Sequence, residues 1–165
     1  MPAPAGIDDL RRVLTSVADP SRAPAMAAYM KDQFMFLGVP APARKAAQRP
    51  FLAAGRQATS TELLDRADAC WDQAEREFQY VGADLLGRWV GTIEPVDLGR
   101  VERLIRTKSW WDTVDALAPN VAGAMVAADP TLADVMDNWV ADDDVWIARS
   151  AILHQLKWRD RTDTD

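Results

Sequence analysis

Helix-start and helix-stop signals recur along this chain at intervals that admit only short helices. Asp19-Pro20 and Asp129-Pro130 each set a capping carboxylate before a proline, which begins a helix. Gly38, Gly55 and Gly91 fall where helices should stop, and Ser60 precedes Glu62-Leu63-Leu64 as an N-cap. Between these signals the apolar spacing predicts helices over 7–18, 22–36, 41–54, 60–72, 75–90, 95–106, 110–127, 130–140 and 143–158. No segment of five or more residues joins β-branched enrichment with strict alternation, so no strand is expected. Helices beginning near Glu75, Trp110 and Asp143 start roughly 35 residues apart, the period of two-helix repeats. The expected fold is therefore all-α: a bundle or, better matched to the period, a solenoid of antiparallel helix pairs. It forms a single domain over 1–165, with flexible tails at 1–6 and 159–165. A solenoid binds its partners on its concave surface.

Composition narrows the function classes. Cys70 and His154 are the only residues of their kinds, which excludes an internal disulfide, a cysteine zinc site and a multi-histidine metal site. The same cysteine usage points to an intracellular protein. No apolar run approaches the roughly 20 residues that cross a bilayer, and the N-terminal Met-Pro-Ala-Pro-Ala-Gly lacks the pattern of a signal peptide. The net charge of -6 argues against a general nucleic-acid binder. The basic residues nevertheless cluster, at Arg44, Lys45, Arg49 and Arg56, at Arg100, Arg103, Arg106 and Lys108, and at Lys157, Arg159 and Arg161. The acidic ones concentrate at Glu62 to Glu77 and Asp129 to Asp144. A basic concave face on an acidic molecule is allowed, and solvated helix faces are the plainer reading of each cluster.

Two segments carry candidate chemistry. In Ser109-Trp110-Trp111-Asp112-Thr113-Val114-Asp115, helical spacing puts Trp110, Val114, Leu117, Val121, Ala124 and Met125 on one apolar stripe. Trp111 and Asp115 lie on its flank one turn apart, and Asp112 points away into a supporting or solvated role. An aromatic wall beside a carboxylate can hold a cation. The alternative is that Asp115 forms a structural salt bridge or caps a neighbouring helix, because a half-buried carboxylate needs partners. In Val145-Trp146-Ile147-Ala148-Arg149-Ser150-Ala151-Ile152-Leu153, Arg149 shares a face with Val145, Ile152 and Leu156. An arginine inside an apolar stripe must meet a carboxylate, a phosphate or carbonyls. Either it pairs with Asp115 or Asp112 of the preceding repeat, or it contacts a phosphate at the concave surface.

Five segments in order, Tyr29-Met30-Lys31-Asp32-Gln33-Phe34, Phe36-Leu37-Gly38-Val39-Pro40, Arg76-Glu77-Phe78-Gln79-Tyr80, Lys108 to Asp115, and Trp146 to Leu156, make the chain resemble the AlkD family of DNA alkylation repair glycosylases from about Tyr29 to Trp158. That resemblance implies a right-handed superhelical solenoid of antiparallel HEAT-like or ARM-like helix pairs that removes N3- and N7-alkylated purines, such as 3-methyladenine and 7-methylguanine, from duplex DNA without fully flipping the base. It implies Asp115, Trp111 and Arg149 as catalytic residues, and Tyr29, Arg44, Lys45, Lys108, Trp110 and Lys157 as DNA contacts. It further implies no cofactor and no metal, alkylated double-stranded DNA as partner, no membrane association, a monomer, and a cytoplasmic, nucleoid-associated protein of bacterial type. Three features depart from the family pattern. The chain ends at Asp165, where members continue into further helices, as a fragment, a truncated product or a short member would. The charge is acidic. The double arginine of the last motif is Ala148-Arg149 here. A non-catalytic solenoid that binds DNA or a protein is the alternative function, and a purely structural protein a third.

Overall fold

Apolar residues at helical spacing dictate the elements, and the computed structural model describes residues 5–162. The helices are α1 (Ile7–Ser16), α2 (Ala23–Tyr29), α3 (Ala41–Ala47), α4 (Arg49–Ala53), α5 (Ser60–Trp71), α6 (Arg76–Arg88), α7 (Leu98–Arg106), α8 (Trp111–Leu117), α9 (Gly123–Ala128), α10 (Ala133–Val140) and α11 (Val145–Leu153). Among the described residues there is no strand; an isolated β-bridge joins Met35 to Glu75. Residues 1–4 and 163–165, parts of the tails expected to be flexible, lie outside the described residues. Of the rest of those tails, Gly6 caps α1 and Arg159–Arg161 form a 3-10 turn.

Start signals work largely as expected. Asp19 accepts from Ser21 N at 3.1 Å, and Asp129 from Thr131 N at 3.0 Å, each across its proline. The N-cap of α5 is Thr59 rather than Ser60, in a capping box with Glu62. The Ser60 hydroxyl instead donates to Asp97 at 2.5 Å and accepts from Glu94 N at 3.0 Å, which ties α5 to the turn that opens α7.

The helices stack in two layers. α1 packs on α5 and α5 on α7; in the other layer α4 packs on α6, α6 on α8 and α8 on α11, while α5–α6 and α10–α11 are antiparallel pairs. Leu63, Leu64, Phe78, Val81, Leu85, Val101, Ile105, Val114, Leu117 and Ile147 lie fully buried between the layers. Each such side chain contributes about 1.5–3 kcal/mol. Three tryptophans mark the repeat by donating Nε1–H across it: Trp89 to Leu52 O (2.7 Å), Trp71 to Leu104 O (3.1 Å) and Trp158 to Gly123 O (3.1 Å), at separations of 37, 33 and 35 residues. The fold is an all-α helical-repeat solenoid, with a period matching the sequence.

Three departures from the expected helices matter for the site. The helix predicted over 22–36 stops at Tyr29, and Lys31 and Asp32 both take φ of 57°. Tertiary anchoring overrides the local helix signal of Met30 to Gln33. The Phe34 ring lies 3.7 Å from the Arg76 guanidinium, and the buried Glu77 carboxylate accepts from the amides of Leu37, Gly38 and Val39 at 3.0, 2.9 and 3.0 Å. Gly38 has φ of 90° and lies so close to Asp19 that a Cβ would sit 2.1 Å from its carbonyl oxygen. The helix predicted over 110–127 does run from Trp111 to Ala128, but through a π turn at Ala118–Ala122. Pro119 has no N–H to donate to the carbonyl of Asp115, four residues back, so the helix widens there. The helix predicted over 143–158 ends at Leu153, where the His154 carbonyl presses on Gly123.

Candidate functional site

The second turn of α8 and the middle of α11 meet across one repeat. Arg149 Nε donates to Asp115 Oδ1 and Nη2 to Asp115 Oδ2, both at 2.7 Å, a bidentate pair. The pair is not buried: the side chains are 43% and 36% exposed. The Asp115 carboxylate raises the Arg149 pKa. Two of the five guanidinium N–H groups are committed, and the rest of the fork is available to an anion.

Arg149 does not sit in a buried apolar stripe. Val145, Ile152 and Leu156, which share its face, are 67%, 74% and 68% exposed, and α11 buries the opposite side through Ile147, Ser150 and Ala151. The hydrophobic spacing was real, but the face is open, because nothing in the described fold packs against it. Asp115 and Arg149 are thus joined at the surface.

Beside this pair stands an exposed aromatic corner. Trp111 is 39% exposed and Tyr29 70%. Their rings meet edge to face at 6.1 Å, although the residues belong to α8 and to the end of α2. Trp110 is half-buried and packs on Trp146 at 5.6 Å, as an apolar-facing position should. An edge-to-face aromatic pair one turn from a solvent-accessible carboxylate, next to an arginine, suits a flat, positively charged ligand that carries a phosphate.

The other sequence candidates divide. Lys45 and Lys157 are exposed; Lys157 lines a trough of about 590 Å³ between α6, α8 and α9, with Ala83, Asp84, Gly87 and Asn120 on its walls. Arg44 is buried and already paired, donating to Asp84 at 2.7 Å and Gln48 at 2.9 Å. Lys108 points inward: its ammonium donates to the carbonyls of Trp71 and Gln73 at the end of α5, and burial lowers its pKa. That is a helix C-cap, not a free cation. Nor do Arg100, Arg103 and Arg106 form a basic face. Arg100 pairs with Asp65 and Asp68, Arg103 with Asp68, and Arg106 with Glu102, Asp142 and Asp144. The acidic and basic clusters, separate along the chain, neutralise one another one repeat apart.

Of the supporting and solvated roles expected for Asp112, the structure excludes the solvated one: the Asp112 side chain is 6% exposed and that of Arg76 is fully buried. Arg76 donates to Asp112 Oδ1 at 2.5 Å and Oδ2 at 3.0 Å, and the Tyr80 hydroxyl donates to Oδ2 at 2.6 Å. Burial, and then the hydrogen bond to Asp112, push the Tyr80 pKa well above its ordinary value. One signal in the sequence could have revealed this pair. Arg76 lies 36 residues before Asp112, a full repeat, in a segment that otherwise reads as core. Cys70 is buried, and burial pushes its thiol up to about 12, which makes it inert. No group of three or more His, Cys, Asp or Glu among the described residues is placed to hold a metal ion, and no helix among them is long and apolar enough to cross a membrane.

A stack of helical repeats that gathers an aromatic–carboxylate–arginine corner on one face defines the class: helical-repeat proteins. Comparison with known proteins narrows it. The family model for "DNA alkylation repair enzyme" matches residues 10–165. A solved structure, a "Predicted DNA alkylation repair enzyme from Enterococcus faecalis", is similar at a TM-score of 0.81 and 31% identity, over 88% of this chain and 68% of that one. A search of the curated proteins finds no match. The chain belongs to the DNA alkylation repair enzyme family.

Proposed function

We propose that this protein is a DNA glycosylase that hydrolyses the N-glycosidic bond of N3- or N7-alkylated purines, such as 3-methyladenine and 7-methylguanine, in duplex DNA. The observation that carries the reading is the surface-exposed Asp115 carboxylate, flanked by the Tyr29–Trp111 corner and gripped by Arg149. Alkylation at N3 or N7 makes the purine cationic. When the C1′–N bond breaks, the electron pair leaves with the base, which departs neutral, and positive charge develops on the deoxyribose. Asp115 lies where it stabilises that charge and orients the water that adds to C1′. Trp111 and Tyr29 pack against the sugar and hold the lesion toward Asp115. Arg149, and Lys157 along the trough, take neighbouring phosphates. The chemistry asks for no cofactor, because the leaving group is already activated.

Asp115→Asn removes the charge and keeps the shape, so base release from methylated duplex DNA should fall by at least about 10²-fold with the fold left intact. Equal release by the two proteins would sink the assignment. A second reading, a solenoid that binds DNA without turnover, is favoured by one observation: Arg149 satisfies both Asp115 oxygens in the free protein. Under that reading duplex affinity is salt-dependent and weakened in Arg149→Ala, yet no base is released.

A further inference from the structure

Nothing in the site itself sets the separation of Tyr29 and Trp111, which come from segments more than 80 residues apart in sequence. Resting on the glycosylase reading, we propose that Arg76, with Asp112 and Tyr80, is the positioning cluster of the site: one buried guanidinium fastens the Tyr29 and Trp111 segments to α6 and so sets the aromatic corner against Asp115.

Every side of this guanidinium is engaged. Nε and Nη2 hold both oxygens of Asp112, Nη2 also reaches Thr113 Oγ1 at 3.0 Å, and Nη1 donates to Lys108 O at 2.8 Å. Three points on the 108–113 segment are thus held from one residue. The N-cap of α8, Trp110, makes no side-chain cap bond, so the turn that launches Trp111 depends on this clamp and on Asp112 accepting from Thr113 N at 2.9 Å. One planar face of the guanidinium stacks on Phe34, five residues after Tyr29, and Arg76 N donates to Met35 O at 2.8 Å. The adjacent Glu77 holds residues 37–39. Consecutive residues of α6 therefore fix both the loop that follows Tyr29 and the turn that carries Trp111. A buried ion pair is a weak source of net stability, whereas a planar fork imposes geometry that lysine cannot reproduce.

The test uses Arg76→Lys and Tyr80→Phe, read by kcat and KM for base release and by the ring resonances of Tyr29. Tyr29 and Tyr80 are the only tyrosines, so Tyr80→Phe leaves a single tyrosine signal and assigns it. Misplacing a binding wall by an ångström costs on the order of 10²-fold in rate. Arg76→Lys should therefore lower kcat by about that factor, leave KM nearly unchanged, and move the Tyr29 resonances toward those of an unstacked tyrosine. Tyr80→Phe removes one hydrogen bond to Asp112 and should cost about 3–10-fold in kcat. A folded Arg76→Lys protein with unchanged kcat and unmoved Tyr29 resonances would overturn the proposal. If Arg76→Lys does not fold, Tyr80→Phe decides, and an unchanged kcat with an unmoved Tyr29 signal overturns it. Absence of base release from the unaltered protein would instead overturn the glycosylase reading, and the Tyr29 resonances would then decide the positioning role alone.

Discussion

At the scale of single residues, the Asp115–Arg149 pair has two faces. In the free protein each group satisfies the other; under the glycosylase reading, a phosphate drawn to the remaining N–H groups would compete with Asp115 for the positive charge of Arg149. Half-exposed pairs of this kind are worth up to about 1 kcal/mol, so Asp115→Asn, which frees Arg149, should tighten undamaged-duplex binding by about two- to fivefold even as it abolishes base release. Loss of a nearby negative charge alone would also tighten binding, and a double-mutant cycle separates the two effects. Competition for Arg149 predicts that the gain vanishes in an Arg149→Ala background, measured by fluorescence anisotropy; a gain that persists there would refute it. The tryptophan–carboxylate motif and the placement of Trp111 and Asp115 on one helix flank were legible in the sequence. The burial of Asp112 was not. Helical periodicity says which way a side chain points relative to its own axis, and Asp112 meets its partner on another helix.

At the scale of elements, the close approach of α11 to α9 depends on one position without a side chain. A Cβ on Gly123 would lie 1.8 Å from the His154 carbonyl oxygen, which is backbone and cannot rotate away. Gly123→Ala should therefore destabilise the protein by about 1–3 kcal/mol, seen as a lower urea midpoint with an unchanged slope. A midpoint equal to that of the unaltered protein would mean that α11 shifts freely. Most helix starts were readable from caps and apolar spacing, as at Asp19 and Asp129, whereas the helix predicted over 41–54 divides into α3 and α4. Helix ends were read less well. α2 stops at Tyr29 because Phe34 and residues 37–39 are claimed by Arg76 and Glu77, and α11 stops at Leu153 because Gly123 receives the next carbonyl. Both causes lie on segments distant in sequence, out of reach of local propensity. The open face of Val145, Ile152 and Leu156 was misread for a related reason: spacing identifies an apolar face but not whether anything covers it.

At the scale of the molecule, ion pairs that bridge repeats make stability sensitive to acid. The Arg11 guanidinium holds Glu75 below the usual carboxylate range, and that of Arg106 does the same for Asp142. A carboxylate with a depressed folded pKa contributes stability above its unfolded pKa, and that contribution is lost as pH falls through the folded value. The thermal midpoint should hold from neutrality to about pH 5 and fall progressively below about pH 4. Glu75→Gln should melt lower than the unaltered protein at pH 7, and the gap should close as pH falls toward 3; a gap constant across that range would show that this ion pair is not responsible. The recurrence of cross-repeat bonds at a nearly constant residue offset has a mechanical consequence. Asp115–Arg149 spans neighbouring turns of the coil and Tyr29–Trp111 more than two repeats of it, so winding or unwinding the stack changes both spacings at once. The protein is built like a helical spring whose pitch sets the aperture of its jaws, and under the glycosylase reading a duplex pressed into those jaws would work against the elasticity of the whole chain.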